Sequence, residues 1–140
     1  MSESIAVRGG GCLCSAVRYE VRGRLRPIVM CHCTQCRRMT GHVMAATAAR
    51  RSDFRLLTDG ELRWYHSSPA ARRGFCARCG STLFWEGLGR DYVSIAAGTL
   101  DDAAGLPIAC HIFVAEKGAY YEIADAAPQI SDGKFTVSWS

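Results

Sequence analysis

Cys31-His32-Cys33-Thr34-Gln35-Cys36 places three thiols within six residues, directly after the apolar run Pro27-Ile28-Val29-Met30. The apolar run reads as a buried strand. Residues two apart on a strand share a face, so Cys31 and Cys33 point one way and His32 the other. Cys36 rejoins the first face only if the chain turns at Thr34-Gln35. A short helical turn over Cys36-Arg37-Arg38-Met39-Thr40, ended by Gly41, accomplishes this. So dense a thiol cluster belongs to a soft-metal site, a redox site or a disulfide framework.

Two further pairs flank it: Cys12-Leu13-Cys14 and Cys76-Ala77-Arg78-Cys79-Gly80. In an extended segment Cys12 and Cys14 share a face. Cys76 to Gly80 reads as a knuckle in which glycine takes the positive φ that aims backbone N–H groups at sulfur. The outer pairs supply four thiolates and the centre supplies three. That matches zinc, which takes four ligands in structural sites and three plus an open position in catalytic ones. Spacing alone also allows Cys31 or Cys33 to join Cys76 and Cys79. The common ferredoxin spacings are absent, and a redox C-x-x-C lacks its βαβ setting. Cys110, in the apolar run Pro107 to Phe113, reads as a buried thiol. His32 and His111 read as hydrogen-bonded histidines, since neither has a spacing that demands a metal.

The rest of the chain is rich in short strands. Gly9-Gly10-Gly11 reads as a flexible run. Ala16 to Arg22 alternates apolar with polar, the mark of a half-buried strand. Val43 to Ala49 fits a strand or a buried helix. Phe54 to Leu57 and Leu62 to His66, around Thr58-Asp59-Gly60, read as a hairpin. Leu83-Phe84-Trp85 and Tyr92 to Ala96 read as strands, as do Ala109 to Ala115 and Tyr120 to Ile123. Thr99-Leu100-Asp101-Asp102 reads as the cap of a short helical turn. The aromatics Trp64, Tyr65, Phe75, Trp85, Tyr120 and Tyr121 read as core or pocket wall. After Pro128 the signals are few. The expectation is one mainly β domain over residues 1–140, with very little helix.

At 140 residues and 49% hydrophobic content, the chain buries a core without disulfide staples. Met1 to Arg8 lacks the apolar run of a secretory leader, and no stretch approaches a membrane span. A cytoplasmic protein with reduced thiols is expected, and there clustered cysteines mean metal or catalysis more often than disulfides. The net charge is +4, and only Lys117 and Lys134 are lysines. Without a Lys/Arg run or a recognition helix, nucleic acid is an unlikely partner. The doublets Arg37-Arg38 and Arg72-Arg73 place forked cations beside thiol clusters, a setting for anionic ligands.

Three segments now carry a resemblance. They are Gly10-Gly11-Cys12-x-Cys14 with Val17-Arg18-Tyr19; Cys31-His32-Cys33-x-x-Cys36-Arg37 with Gly41; and Arg73-x-Phe75-Cys76-x-x-Cys79-Gly80-Ser81. Ala109-x-His111-Ile112-Phe113 and Glu122-Ile123-x-Asp125-x-x-Pro128-Gln129 extend it. Together, over about residues 9–130, they resemble the glutathione-dependent formaldehyde-activating enzyme family, which includes centromere-protein-V-like proteins. The resemblance implies a β-tent of small antiparallel sheets organised around zinc. It implies a structural zinc on Cys12, Cys14, Cys76 and Cys79, and a second, exchangeable or partly occupied zinc on Cys31, Cys33 and Cys36. It also implies a carbon–sulfur lyase activity that joins glutathione to formaldehyde, giving S-hydroxymethylglutathione, with the central three cysteines as the catalytic ones. Arg37, Arg38 and Arg73 are the candidate cations for the carboxylates of glutathione. The competing expectation is a non-enzymatic zinc module that contacts protein or nucleic acid. The chain departs from the family at Ser15, where glycine is usual, and at Tyr120 or Tyr121, where tryptophan is common.

Overall fold

The computed structural model describes residues 7–139. The leader reading of Met1 to Arg8 therefore falls largely outside the described residues. Among the described residues, ten strands form two sheets. β1 (Val7–Gly11), β2 (Arg18–Arg22) and β5 (Phe54–Thr58) make a three-stranded sheet in that order. The other seven are β3 (Ile28–Cys31), β4 (Met44–Arg50), β6 (Leu62–Ser68), β7 (Ala71–Cys76), β8 (Thr82–Gly87), β9 (Tyr92–Ala96) and β10 (Ile108–Ile112). They run in the order β10-β3-β4-β9-β8-β7-β6. One short helix, α1 (Thr34–Thr40), follows β3. The molecule is mainly β, as expected, and its pairings are antiparallel except for β10 with β3, which is parallel.

The main core is made where the small sheet meets the large one. Val17, Tyr19 and Val21 are fully buried and alternate with the less buried Arg18 and Glu20. They pack with Leu83, Phe84, Val93 and Ile95. Tyr19 stacks on Phe54 with ring centroids 5.7 Å apart and meets the edge of Phe84 at 5.3 Å. Its hydroxyl bonds to the Thr99 Oγ1 at 2.8 Å, so the buried phenol is satisfied. Burying a side chain of this size contributes about 2–3 kcal/mol.

Several local expectations are corrected. The glycine run is not a flexible feed but strand β1, paired to β2 with Gly10 opposite Tyr19. A Cβ on Gly10 would lie 2.3 Å from the Tyr19 hydroxyl and 2.5 Å from the Thr99 carbonyl. The glycine is there for close approach. Residues 54–57 and 62–66 do not form a hairpin: β5 pairs with β2, and β6 with β7. Pairing with β2 sets Phe54 opposite Val21 and Leu56 opposite Tyr19, and packs both against the main core. Thr99 closes a 3-10 turn at Ala97–Thr99 instead of opening a helix, and its hydroxyl donates to the Ala96 carbonyl. The strand expected over 109–115 stops at Ile112, because Phe113 turns left-handed (φ 54) into a 3-10 turn at Val114–Glu116. Residues 120–123 form no strand. The 43–49 ambiguity resolves as β4.

The last segment is more ordered by contacts than its sequence signals. The His111 N–H donates to the Pro128 carbonyl, and the Ile130 N–H to that of His111, both at 2.8 Å. Phe135 and Val137 then pack against the cluster of Val29, Cys110 and Ile112. Among the described residues, no helix is long and apolar enough to cross a membrane.

Candidate metal centres and the cavity between the sheet and the C-terminal segment

Cys12 and Cys14 lie in the turn after β1, while Cys76 ends β7 and Cys79 sits in the β7–β8 turn. The C-x-C segment is not extended, as its period suggested. It turns, with the Ser15 N–H donating to the Cys12 carbonyl at 3.1 Å and Ser15 itself left-handed at φ 66. This is the position where the resembled family carries glycine. The opposing knuckle has the expected form: Gly80 is at φ 78 and its N–H donates to the Cys76 carbonyl at 2.7 Å.

These four sulfurs lie within 4.8 Å of one another. Cys12 to Cys14 is 3.7 Å and Cys14 to Cys76 is 3.8 Å. A disulfide would need about 2 Å. A tetrahedron with zinc–sulfur bonds of about 2.3 Å has an edge of about 3.8 Å. The donor set therefore fits a zinc ion. The surroundings of Cys12 and Cys79 favour thiolate: the Val17 N–H reaches the Cys12 Sγ at 3.2 Å. The Cys79 thiol is pushed down to about 5, first by the Ser81 hydroxyl, then by the Cys14 and Ser81 N–H groups. The Ser81 Oγ also accepts the Leu13 N–H at 3.1 Å, so one hydroxyl ties both loops together.

The second cluster is built by the end of β3 and the start of α1. Cys31 closes the strand, Cys33 caps the helix, and Cys36 lies in its first turn. The Cys36 N–H donates to the Cys33 Sγ at 3.3 Å. Gly41 ends the helix left-handed at φ 82 and bonds back to the Arg37 carbonyl. The three sulfurs lie within 4.8 Å of one another, and among the described residues no fourth His, Cys, Asp or Glu joins them. Hydrogen bonds from Cys31 and Cys36 hold the Cys33 thiol well below its ordinary range, while the same sharing drives Cys31 up. Three thiols this close do not all ionise without a cation, and a metal ion is the usual one. The set fits a three-thiolate zinc with an open position.

Arg73 reaches across from β7. Its Nη1 and Nη2 lie 3.5 and 3.6 Å from the Cys36 Sγ, and Nη2 also donates to the Gln35 Oε1 at 3.3 Å. The side chain is only 4% exposed. Cys31, Cys33, Cys36 and Arg73 line a cavity of about 990 Å³. Arg37 and Arg38, the other candidate arginines, lie on α1 outside that lining.

His32 turns to the opposite side, as the strand period requires. Its Nδ1 lies 2.5 Å from the Tyr121 hydroxyl and its Nε2 2.8 Å from the Nδ1 of His111. His111 Nε2 continues to Asp125 at 2.9 Å. Both histidines are buried and hydrogen-bonded, and neither joins a thiol cluster. Cys110 is buried, with its thiol pushed up by burial. Among the aromatics, Trp64 packs on Phe84 in the core and Trp85 lines the cavity. Tyr65 and Tyr120 are exposed.

Two contributors to the cavity escaped the sequence reading. Arg26, just before β3, lines it while only 5% exposed. The segment 133–139 supplies Phe135, Val137 and Trp139 to its wall. Lys134-Phe135-Thr136-Val137-Ser138-Trp139 alternates polar with apolar, which is the signal of a one-sided extended segment.

The architecture and the two sulfur clusters define a class: a mainly β domain with candidate cysteine metal sites. The family model described as "Glutathione-dependent formaldehyde-activating enzyme" matches residues 7–116, and the chain belongs to that family. A solved structure of a Rhodobacter sphaeroides protein, a structural-genomics target, is similar with a TM-score of 0.56 and 26% identity. The match covers 69% of this chain and 91% of that one. No curated protein matches in sequence.

Proposed function

We propose that the protein binds a small thiol, glutathione being the family's namesake, at the open position of a zinc held by Cys31, Cys33 and Cys36, and adds it to a small aldehyde. Cys12, Cys14, Cys76 and Cys79 hold a second, structural zinc. The observation that carries this reading is the contrast between the clusters. One has four sulfurs at tetrahedral spacing, while the other has three, no fourth protein donor among the described residues, and a large cavity beside it.

Zinc bound at the three thiolates supplies the charge that keeps an incoming thiol deprotonated at neutral pH. The protein's own residues do the rest. The cavity holds the thiol and aldehyde together, which is the main gain available to a reaction that already runs unaided. The substrate sulfur donates its electron pair to the carbonyl carbon. The carbonyl π pair moves to oxygen, which takes back through solvent the proton that the thiol released on binding, giving a hemithioacetal with no change in redox state. Arg73, beside Cys36, offsets part of the negative charge of the thiolates.

Calorimetry with glutathione on zinc-loaded protein tests this. Saturable binding in the wild type is expected, and Cys33→Ala should keep the fold, lose one zinc and lose the binding. A wild type that binds no thiol at millimolar concentration favours the zinc-module reading. A Cys33→Ala protein with full zinc content would remove the three-thiolate site.

A further inference from the structure

The cavity carries cations that the thiol clusters do not explain. Arg26, Arg73, Arg90 and Lys134 line it, against a single acid, Glu116, whose Oε1 is already taken by the Thr34 N–H at 3.0 Å. Arg73 also has a buried Nε without a partner, but its two Nη groups are committed to the Cys36 Sγ and the Gln35 Oε1. Arg90 and Lys134 are exposed, where water satisfies a cation. Arg26 is different. It is 5% exposed, its Nε is buried with no hydrogen-bond partner, and among the described residues no carboxylate pairs with it. Its Nη2 donates to the Ala46 carbonyl at 3.1 Å, and the rings of Phe135 and Tyr92 stand 5.5 and 6.0 Å from its guanidinium carbon. Burial pushes its pKa down, yet an arginine stays charged. A buried fork with an unpaired nitrogen, lining a cavity, is a receptor for a planar anion.

Its position suits a ligand that also reaches the sulfurs. Ala46 lies opposite Val29 in the β3–β4 ladder and Met44 lies opposite Cys31. The backbone anchor of Arg26 is thus two residues, roughly 7 Å, along the strands from Cys31. We propose that Arg26 is the carboxylate anchor of this cavity, and that the cavity therefore selects thiols bearing a carboxylate over neutral thiols. The selection of thiols rests on the function proposed above; the anchoring of a carboxylate does not. Phe135, which stands by Arg26, lies beyond the residues 7–116 that the family model matches.

Three probes separate the two ideas: 3-mercaptopropionate, 2-mercaptoethanol, and 3-(methylthio)propionate, which has the carboxylate but no free thiol. Binding to zinc-loaded protein is read by calorimetry and by the fluorescence of Trp85 and Trp139, which line the cavity. Mercaptopropionate should bind at least about tenfold tighter than mercaptoethanol, as expected for one charge-assisted hydrogen-bonded pair. Arg26→Met should abolish that preference, leave mercaptoethanol binding in place, and remove thioether binding. Its ligand-free melting temperature should hold or rise, because an unpaired buried charge is lost. If the Met variant does not fold, Arg26→Gln, which keeps a donor for Ala46, is expected to give the same loss of preference. Should the thioether bind as well as its thiol, with both lost in the variant, the anchor stands and the open zinc position falls. Equal preference in wild type and variant overturns the anchor, even where both thiols bind.

Discussion

At the scale of single residues, the two sites are held by groups that never touch a metal. Ser81 joins the Cys79 Sγ to the Leu13 N–H, and so fixes the two loops of the four-thiol site against each other. Ser81→Ala should keep the fold and weaken zinc binding about tenfold, the lower end for a lost outer-shell partner, measured by competition with a chelating dye. Gly10 shows the opposite dependence, on an absent atom. Gly10→Ala drives a Cβ into Tyr19 and the Thr99 carbonyl, and should destabilise the protein by about 2 kcal/mol in urea unfolding. The central trio, and the opposed faces of Cys31 and His32, were legible because period and spacing are local properties; the joining of Cys12 and Cys14 to Cys76, over sixty residues on, was not fixed by spacing. Arg26 was not. A lone arginine before a proline carries no pattern, and its meaning arises only from burial and the want of a partner.

At the scale of elements, helix α1 and the knuckle after β7 were readable because each is stopped by a glycine that the structure finds left-handed. Strand partners were less so. The rule for hairpins weighs only the turn between two runs, and it assigned β5 to β6. Instead β5 pairs with β2 and packs against the main core. The parallel ladder of β3 with β10 joins residues about eighty apart in the chain, beyond any local signal. The 133–139 segment is closely packed where it begins. A Cβ on Gly133 would lie 2.6 Å from the Phe113 ring, and Phe113 is itself left-handed and part of the cavity wall. Gly133→Ala should therefore push the segment off the cavity. The expected result is earlier proteolysis near residue 133 and at least severalfold weaker thiol binding, with zinc content at the four-thiol site unchanged.

At the scale of the whole molecule, two carboxyls are held below their usual range, Asp101 by Arg18 and Asp125 by His111, and the second gives a pH test. Asp125 accepts from His111, and that bond holds its carboxyl below the usual range. A depressed carboxyl stabilises the fold fully above its unfolded value of about 3.9, and the contribution is lost as pH falls below it. The gap in urea stability between wild type and Asp125→Asn should therefore be open from pH 7 down to about pH 4 and narrow below. A gap of constant size across that range would assign Asp125 a purely packing role. The same pairing of distant segments has a consequence for how the chain matures. During synthesis Cys31, Cys33 and Cys36 leave the ribosome before Cys76 and Cys79 can complete the partner set of Cys12 and Cys14. Residues 133–139, which supply part of the cavity wall, emerge later still. Of the two candidate sites, the three-thiol set is therefore complete on the nascent chain before the four-thiol set can be.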